Sequence, residues 1–301
     1  MQPPFPNAFD VDDSQARINA AFYESYANTV LTETTKGREP GGFTTDAEDA
    51  QWALRMDAAT SLREAGQWAT LFDVQRARRL FASAGTLFLQ DGHGFGSFLL
   101  AVSGSDSHLE DPQAEIATLL SLHELEHRSG SDNVVIPAAM HHPQQQAYLL
   151  LSLTARSKDL HEERSMEDLH RLCSESPHRY GNLPVGALGA PIRYFWTIAQ
   201  SFLEEEPPRF ADLYVEAFQS RYAEDMASAQ VNDYLWRHGA APVDVLDIDA
   251  IGVATLAAQR FGPRVVENVI DDSTVFMSPM LRAFLSTGNQ LAMPGRDGQD
   301  R

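Results

Sequence analysis

Five residues near the middle of the chain, His123-Glu124-Leu125-Glu126-His127, spell H-E-x-x-H. Two imidazoles at this spacing share one face of a helix. Both can then ligate one zinc ion, while the intervening glutamate takes a proton from a metal-bound water. On a wheel at about 100° per residue, His123 and His127 fall within the apolar face set by Ile116, Leu119 and Leu120. They are therefore expected to point inward, with Glu124 as the catalytic base. Gly130 extends the match, but the position of a third histidine in one class of zinc proteases is Asn133, a poor zinc ligand. The chain also lacks the sheet on which such enzymes lay a substrate. The bland alternative is a pair of core histidines that donate to buried carbonyls or carboxylates.

A second metal chemistry reads the same residues differently. Glu124-x-x-His127 and Glu167-x-x-His170 are both E-x-x-H, and two such pairs with further glutamates make a carboxylate di-iron site in a helical bundle. Glu163, one turn before Glu167, is the candidate extra ligand. Against this, the stretch from Asp159 to Asp168 is dense in charge and reads as a solvated face. His93 in its glycine-rich turn, the His141-His142 pair beside Pro143, and Pro177-His178-Arg179-Tyr180-Gly181 are weaker candidates. None is selected as a haem ligand. Gly92-x-Gly94-x-Gly96 follows a helix and lacks the closing spacing of a nucleotide fingerprint, and no Ser or Cys sits in a nucleophile elbow.

The elements that must hold these residues read almost wholly as helix. A first helix is expected from about Ser14 to Thr32, with Ile18, Ala21, Phe22, Tyr26 and Val30 recurring at helical spacing. After a glycine-rich loop, Thr45-Asp-Ala-Glu48 forms a capping box. The helix behind it carries Trp52, Leu54, Met56, Ala59 and Leu62, and is expected to end near Gly66. A third runs from about Gln67 to Leu87. The glycines at 92, 94 and 96 should break any helix, and Phe98–Val102 is the one early place where a short strand is plausible. Asp111-Pro112 starts a helix that reaches about Arg128, and Pro143 starts another to about Arg156. Further helices are expected near 160–175, 187–204, 208–223, 225–238 and 247–261, with a loop at 177–184 and a last turn at 280–285. The fold class is therefore all-α: an irregular helical array or bundle of about ten helices with at most a few short strands. A loose acidic arm at 1–12, a single domain at 13–290 and a disordered tail at 291–301 complete the expected organisation.

Composition narrows the function. Asp plus Glu number 42 against 23 Lys plus Arg, a formal net charge of -19. Such a surface repels nucleic acid and anionic membranes and steers a basic partner towards itself. Acidity alone also serves solubility. The single cysteine, Cys173, excludes an intrachain disulfide. The first residues lack a basic region and an apolar core, so no secretory signal is expected. No apolar run approaches the roughly 20 residues that cross a bilayer. A cytoplasmic location is expected, and homodimerisation is left open.

Taken in order, several segments resemble the immunity protein 49 family of bacterial polymorphic-toxin systems. Ile116-Ala-Thr-Leu-Leu-Ser-Leu122, a charged stretch, and Val134-Val-Ile-Pro-Ala138 are similar to its central helix and following loop. Pro191-Ile-Arg-Tyr-Phe-Trp196 through Phe202-Leu-Glu-Glu-Glu-Pro207, then Phe210 and Glu216-Ala-Phe-Gln219, resemble its next helix pair. Asp247 to Ala257, Gly262 and Ser278-Pro-Met-Leu281 look like its closing helix and terminal segment. The resemblance spans roughly residues 50–285. It implies a binding protein, with no cofactor, that neutralises a cognate and basic toxin by direct, electrostatically steered association. The family has no catalytic residues to carry over, and the H-E-x-x-H motif lies outside its pattern. The alternative is a helical metal-dependent enzyme, an iron oxidoreductase or a zinc hydrolase.

Overall fold

The computed structural model describes residues 13–35, 47–105, 112–125, 142–157, 163–180, 189–205, 248–262 and 265. These residues are all-helical. In chain order the helices are α1 (Asp13–Thr35), α2 (Ala47–Ala69), α3 (Val74–Gln90), α4 (Gly94–Ser103), α5 (Pro112–Leu125), α6 (Pro143–Ala155), α7 (Glu163–Tyr180), α8 (Gly189–Glu204) and α9 (Ile248–Phe261). The expected arm at 1–12, Thr45 of the capping box, the helices near 208–223 and 225–238, and the tail lie outside the described residues.

The first four helices stack in sequence, α1 on α2, α2 on α3 and α3 on α4. α4 is then gripped by α6 and α9, α6 lies on α8, and α7 bridges α8 and α5. No helix among the described residues is long and apolar enough to cross a membrane.

Several local expectations are corrected. The break between the second and third helices falls at Thr70–Asp73, not at Gly66, because Asp73 supplies the N-cap: its carboxylate accepts from the Arg76 amide at 2.9 Å. Gly66 is interior to α2, and a Cβ there would sit 2.6 Å from the Phe81 ring of α3. It is a contact residue, not a terminator. Phe98–Val102 is helix rather than strand. Of the three glycines expected to break the helix, only Gly92 turns the chain, with φ 73°. Gly94 and Gly96 open α4, where a Cβ on Gly94 would strike the Gln145 carbonyl oxygen and one on Gly96 would lie 2.6 Å from that of Gly85. The alternating glycines thus let α4 pass close to α3 and α6. α4 ends on Gly104 in the left-handed conformation, φ 73°, whose amide bonds back into the last turn. Finally, α7 continues to Tyr180, past Pro177. Proline removes one helical bond near the end of the helix, and the helix finishes within a turn instead of stopping at residue 175.

Candidate functional site

His123 and Glu124 lie in the last turn of α5, but their side chains are outside what the structure describes, and His127 is outside the described residues. On the facing helix α7, the Glu163 side chain is likewise not described. Glu167 and His170 are exposed, whereas Leu169, Leu172 and Cys173 form the buried side of the same helix. The packing of α5 on α7 therefore places Glu124 and the Glu167-x-x-His170 segment on neighbouring helices, while Glu167 and His170 face away from the packed side of α7. Among the described residues, no group of three or more His, Cys, Asp and Glu side chains is arranged to hold a metal ion. Cys173 is buried and its thiol is pushed up to about 12, first by burial and then by the Glu204 charge, so it is no nucleophile.

The other histidines have local roles. His142 is exposed and caps α6, its Nδ1 accepting from the Gln144 amide at 3.3 Å. His93 is half-buried at the start of α4, edge-on to Phe88 at 6.0 Å. Burial lowers its pKa, and the Asp91 charge opposes that shift.

A feature the periodicity concealed lies on α1. Its buried residues are Ala16, Ala20, Ala27 and Val30, with Tyr23 half-buried between them. These recur at four- and three-residue spacing, the seam of a closely packed helix pair. Ile18, Phe22 and Tyr26 point the other way and are 60%, 63% and 44% exposed. At about 100° per residue they form a stripe centred roughly 120° from the buried seam. Tyr26 is steadied by donating to Asp57 of α2 at 2.6 Å. Thr29 and Glu33 continue the same angular track, and both also line a groove of about 540 Å³ with Glu24, Ser25, Asn28 and Arg76 of α3. The apolar stripe thus runs into a polar, carboxylate-bearing groove. What could have revealed it in the sequence is the alanine run at 16, 20 and 27, which marks the tightly packed side and leaves the large residues for the other.

The charge distribution sharpens this face. The chain has only two lysines, and many of its described arginines are turned onto the protein itself. Arg55 forks Asp91 at 2.7 and 3.1 Å, a bond that raises the guanidinium pKa. Arg76 pairs with Glu24. Arg78 is buried, its pKa lowered by desolvation, and donates to the Ser103 carbonyl at the end of α4. Arg156 donates to the Ser105 carbonyl just beyond, and Arg260 to that of Phe202 at 2.9 Å in the last turn of α8. Cations at helix C-termini complement the helix dipole.

The interior offers a second polar feature. Tyr148 of α6 donates to Asp249 of α9 at 2.7 Å and accepts from Gln144 at 2.9 Å. Asp249 is 4% exposed, and Phe95, Phe98 and Phe195 surround the tyrosine ring. The first turn of α9 favours the buried carboxylate. This pair ties α6 to α9.

No protein-family model, curated protein or solved structure matches this chain.

Proposed function

We propose that the chain is a cytoplasmic binding protein that neutralises a basic toxin by direct association, in the manner of the immunity family its sequence resembles. The observation that carries this reading is the combination of a net charge of -19 with arginines spent on internal carbonyls and carboxylates. The outward field is then strongly negative and steers a cationic protein into contact. An inhibitor of this kind needs no cofactor. The reading predicts a neighbouring reading frame for a large secreted toxin. Expressed alone, that toxin should stop growth; expressed with this chain, it should be tolerated and should co-purify with it. Toxicity undiminished by the chain sinks the reading.

A second reading, a metal-dependent enzyme centred on His123, Glu124 and His127, draws support from the packing of α5 on α7. In it Glu163, Glu167 and His170 supply further ligands to iron or zinc. The outward position of Glu167 and His170 fits poorly with a closed site. Elemental analysis of the purified protein beside a His123→Ala variant decides it. Stoichiometric metal that the variant loses establishes the enzyme reading and displaces the first.

A further inference from the structure

We propose that α1 is a releasable cover: it lifts from α2 as one unit while the other described helices stay folded, and what it covers is Trp68. The register of the pair follows from three contacts. Tyr26 donates to Asp57, Tyr23 bonds Glu64, and the Arg17 guanidinium lies 4.6 Å over the Phe72 ring. Residues further along α1 meet residues further back on α2, so the two helices run antiparallel. Trp68 stands on the same face of α2 as Glu64 and Asp57, at about 100° per residue. Gly66, which meets Phe81 of α3, lies on the opposite face. Between the Glu64 and Phe72 contacts, the α1 residue level with Trp68 is Ala20, and both are 0% exposed. The small side chain at 20 leaves room for the indole beneath it.

Several features let this cover lift. Among the described helices, α1 lies lengthwise on α2 alone and reaches α3 through the Glu24–Arg76 pair. Its large residues Ile18, Phe22 and Tyr26 already face solvent, so release exposes nothing more there. It uncovers Ala16, Ala20, Ala27 and Val30, with the half-buried Tyr23 and Leu31. Hydrophobic stabilisation follows apolar area, and alanines bring little. The cross-links are hydroxyl–carboxylate and guanidinium–carboxylate bonds near solvent, which water replaces at small net cost. On the α2 side, release exposes the Trp68 ring. That cost is partly offset, because its buried Nε1–H has no acceptor among the described residues and regains water. The α4 centre has no comparable exit, since Phe95, Phe98, Tyr148 and Phe195 pack ring against ring across three helices.

The test is hydrogen exchange on the full, folded chain. Once released, a helix of 23 residues is only marginally stable alone, so its amides exchange through the opening. In the wild type, α1 amides should share one opening and exchange at least about tenfold faster than the slowest amides of α6 and α8. The Tyr23→Phe, Tyr26→Phe double variant keeps both rings and removes both hydroxyl bonds to α2. Its α1 exchange should quicken about tenfold, with α6 unchanged. Tyr148→Phe, in the aromatic centre, should do the reverse, quickening α6 and leaving α1 as it was. Circular dichroism checks that the variants remain folded, and the wild-type comparison of α1 with α6 stands without them. Three results overturn the inference: α1 amides as slow as those of α6, α1 amides indifferent to the loss of both hydroxyls, or α1 and α6 quickened together by either variant. Each would mean that α1 leaves α2 only when the whole chain unfolds.

Discussion

Where α1 lies against α2, its buried residues are Ala16, Ala20, Ala27 and Val30; where α4 meets α6 and α8, they are Phe95, Phe98, Tyr148 and Phe195. The first contact gains stability from close helix approach and little from side-chain bulk. The second fills its space with rings and admits a polar pair, Tyr148–Asp249, within them. The difference teaches that apolar size does not locate the inside of this protein. On α1 the large residues Ile18, Phe22 and Tyr26 are outer surface, and in the α4 centre the large residues are the core.

Both regions use small residues for close helix approach, alanine on α1 and glycine at α4, and the glycines give the largest expected effect. Gly94→Ala places a methyl against the Gln145 carbonyl oxygen, a backbone atom that cannot swing aside. We expect a loss of about 3 kcal/mol in urea unfolding, the upper part of the range for overpacking. An unchanged midpoint would mean that α4 and α6 are not held at this distance.

The next effect breaks the comparison directly. Ala27→Leu in the α1 seam should cost about 2 kcal/mol, because the helices must part to admit it. Phe22→Ser, which removes a far larger side chain one face away, should change stability by less than about 0.5 kcal/mol. A reversal of that order in thermal melts would show that the stripe is core and the seam is surface.

These two helices also show where sequence reading succeeds. The repeat of Ile18, Phe22, Tyr26 and Val30 identifies the α1 helix correctly, since a helical period survives whichever face is buried. It does not say which face that is. Only Val30 of these four is buried, because the choice depends on how closely α2 approaches, and alanine carries little weight in an apolar pattern. The same limit explains α4. Alternating glycines in sequence look like a break, yet their cause is the backbone of Gly85 and Gln145 drawn near by tertiary packing. Pro143 and Asp73 act through their own residues' chemistry, by opening or capping a helix. Pro143 is legible from its local signal, whereas the cap at Asp73 is hidden behind Gly66, which reads in sequence as a stop. The H-E-x-x-H motif is an equally local signal, but a ligand set is a long-range property. Of its α7 counterparts, Glu167 and His170 are on the exposed side, which spacing alone does not foretell.

A smaller effect probes the polar pair in the aromatic centre. Tyr148→Phe keeps the ring and removes the donor to Asp249. We expect a loss of about 1–2 kcal/mol, the cost of a bond to a buried carboxyl group. Thermal melts of the variant against wild type measure it. No loss would mean that Asp249 is satisfied without Tyr148 and that α6 and α9 are joined by packing alone.

The smallest effect concerns His93, at the turn between α3 and α4 where the stack meets the aromatic centre. Burial against Phe88 holds its pKa below the usual 6.5, and Asp91 only partly offsets this. The unfolded chain therefore takes up the proton first as pH falls. The folded state's advantage is complete above the unfolded pKa and is lost as pH falls through the folded one. Other carboxylates also titrate on acidification, so the informative quantity is a difference. His93→Gln removes this titration without losing a cap, because the His93 side chain makes no capping bond. Between about pH 7.5 and about pH 5, the wild-type melting temperature should fall slightly more steeply than that of the variant. Parallel profiles would mean that the imidazole is as well solvated as the outer face of α1, and that the dry region begins further inside α4 than the Phe88 contact implies.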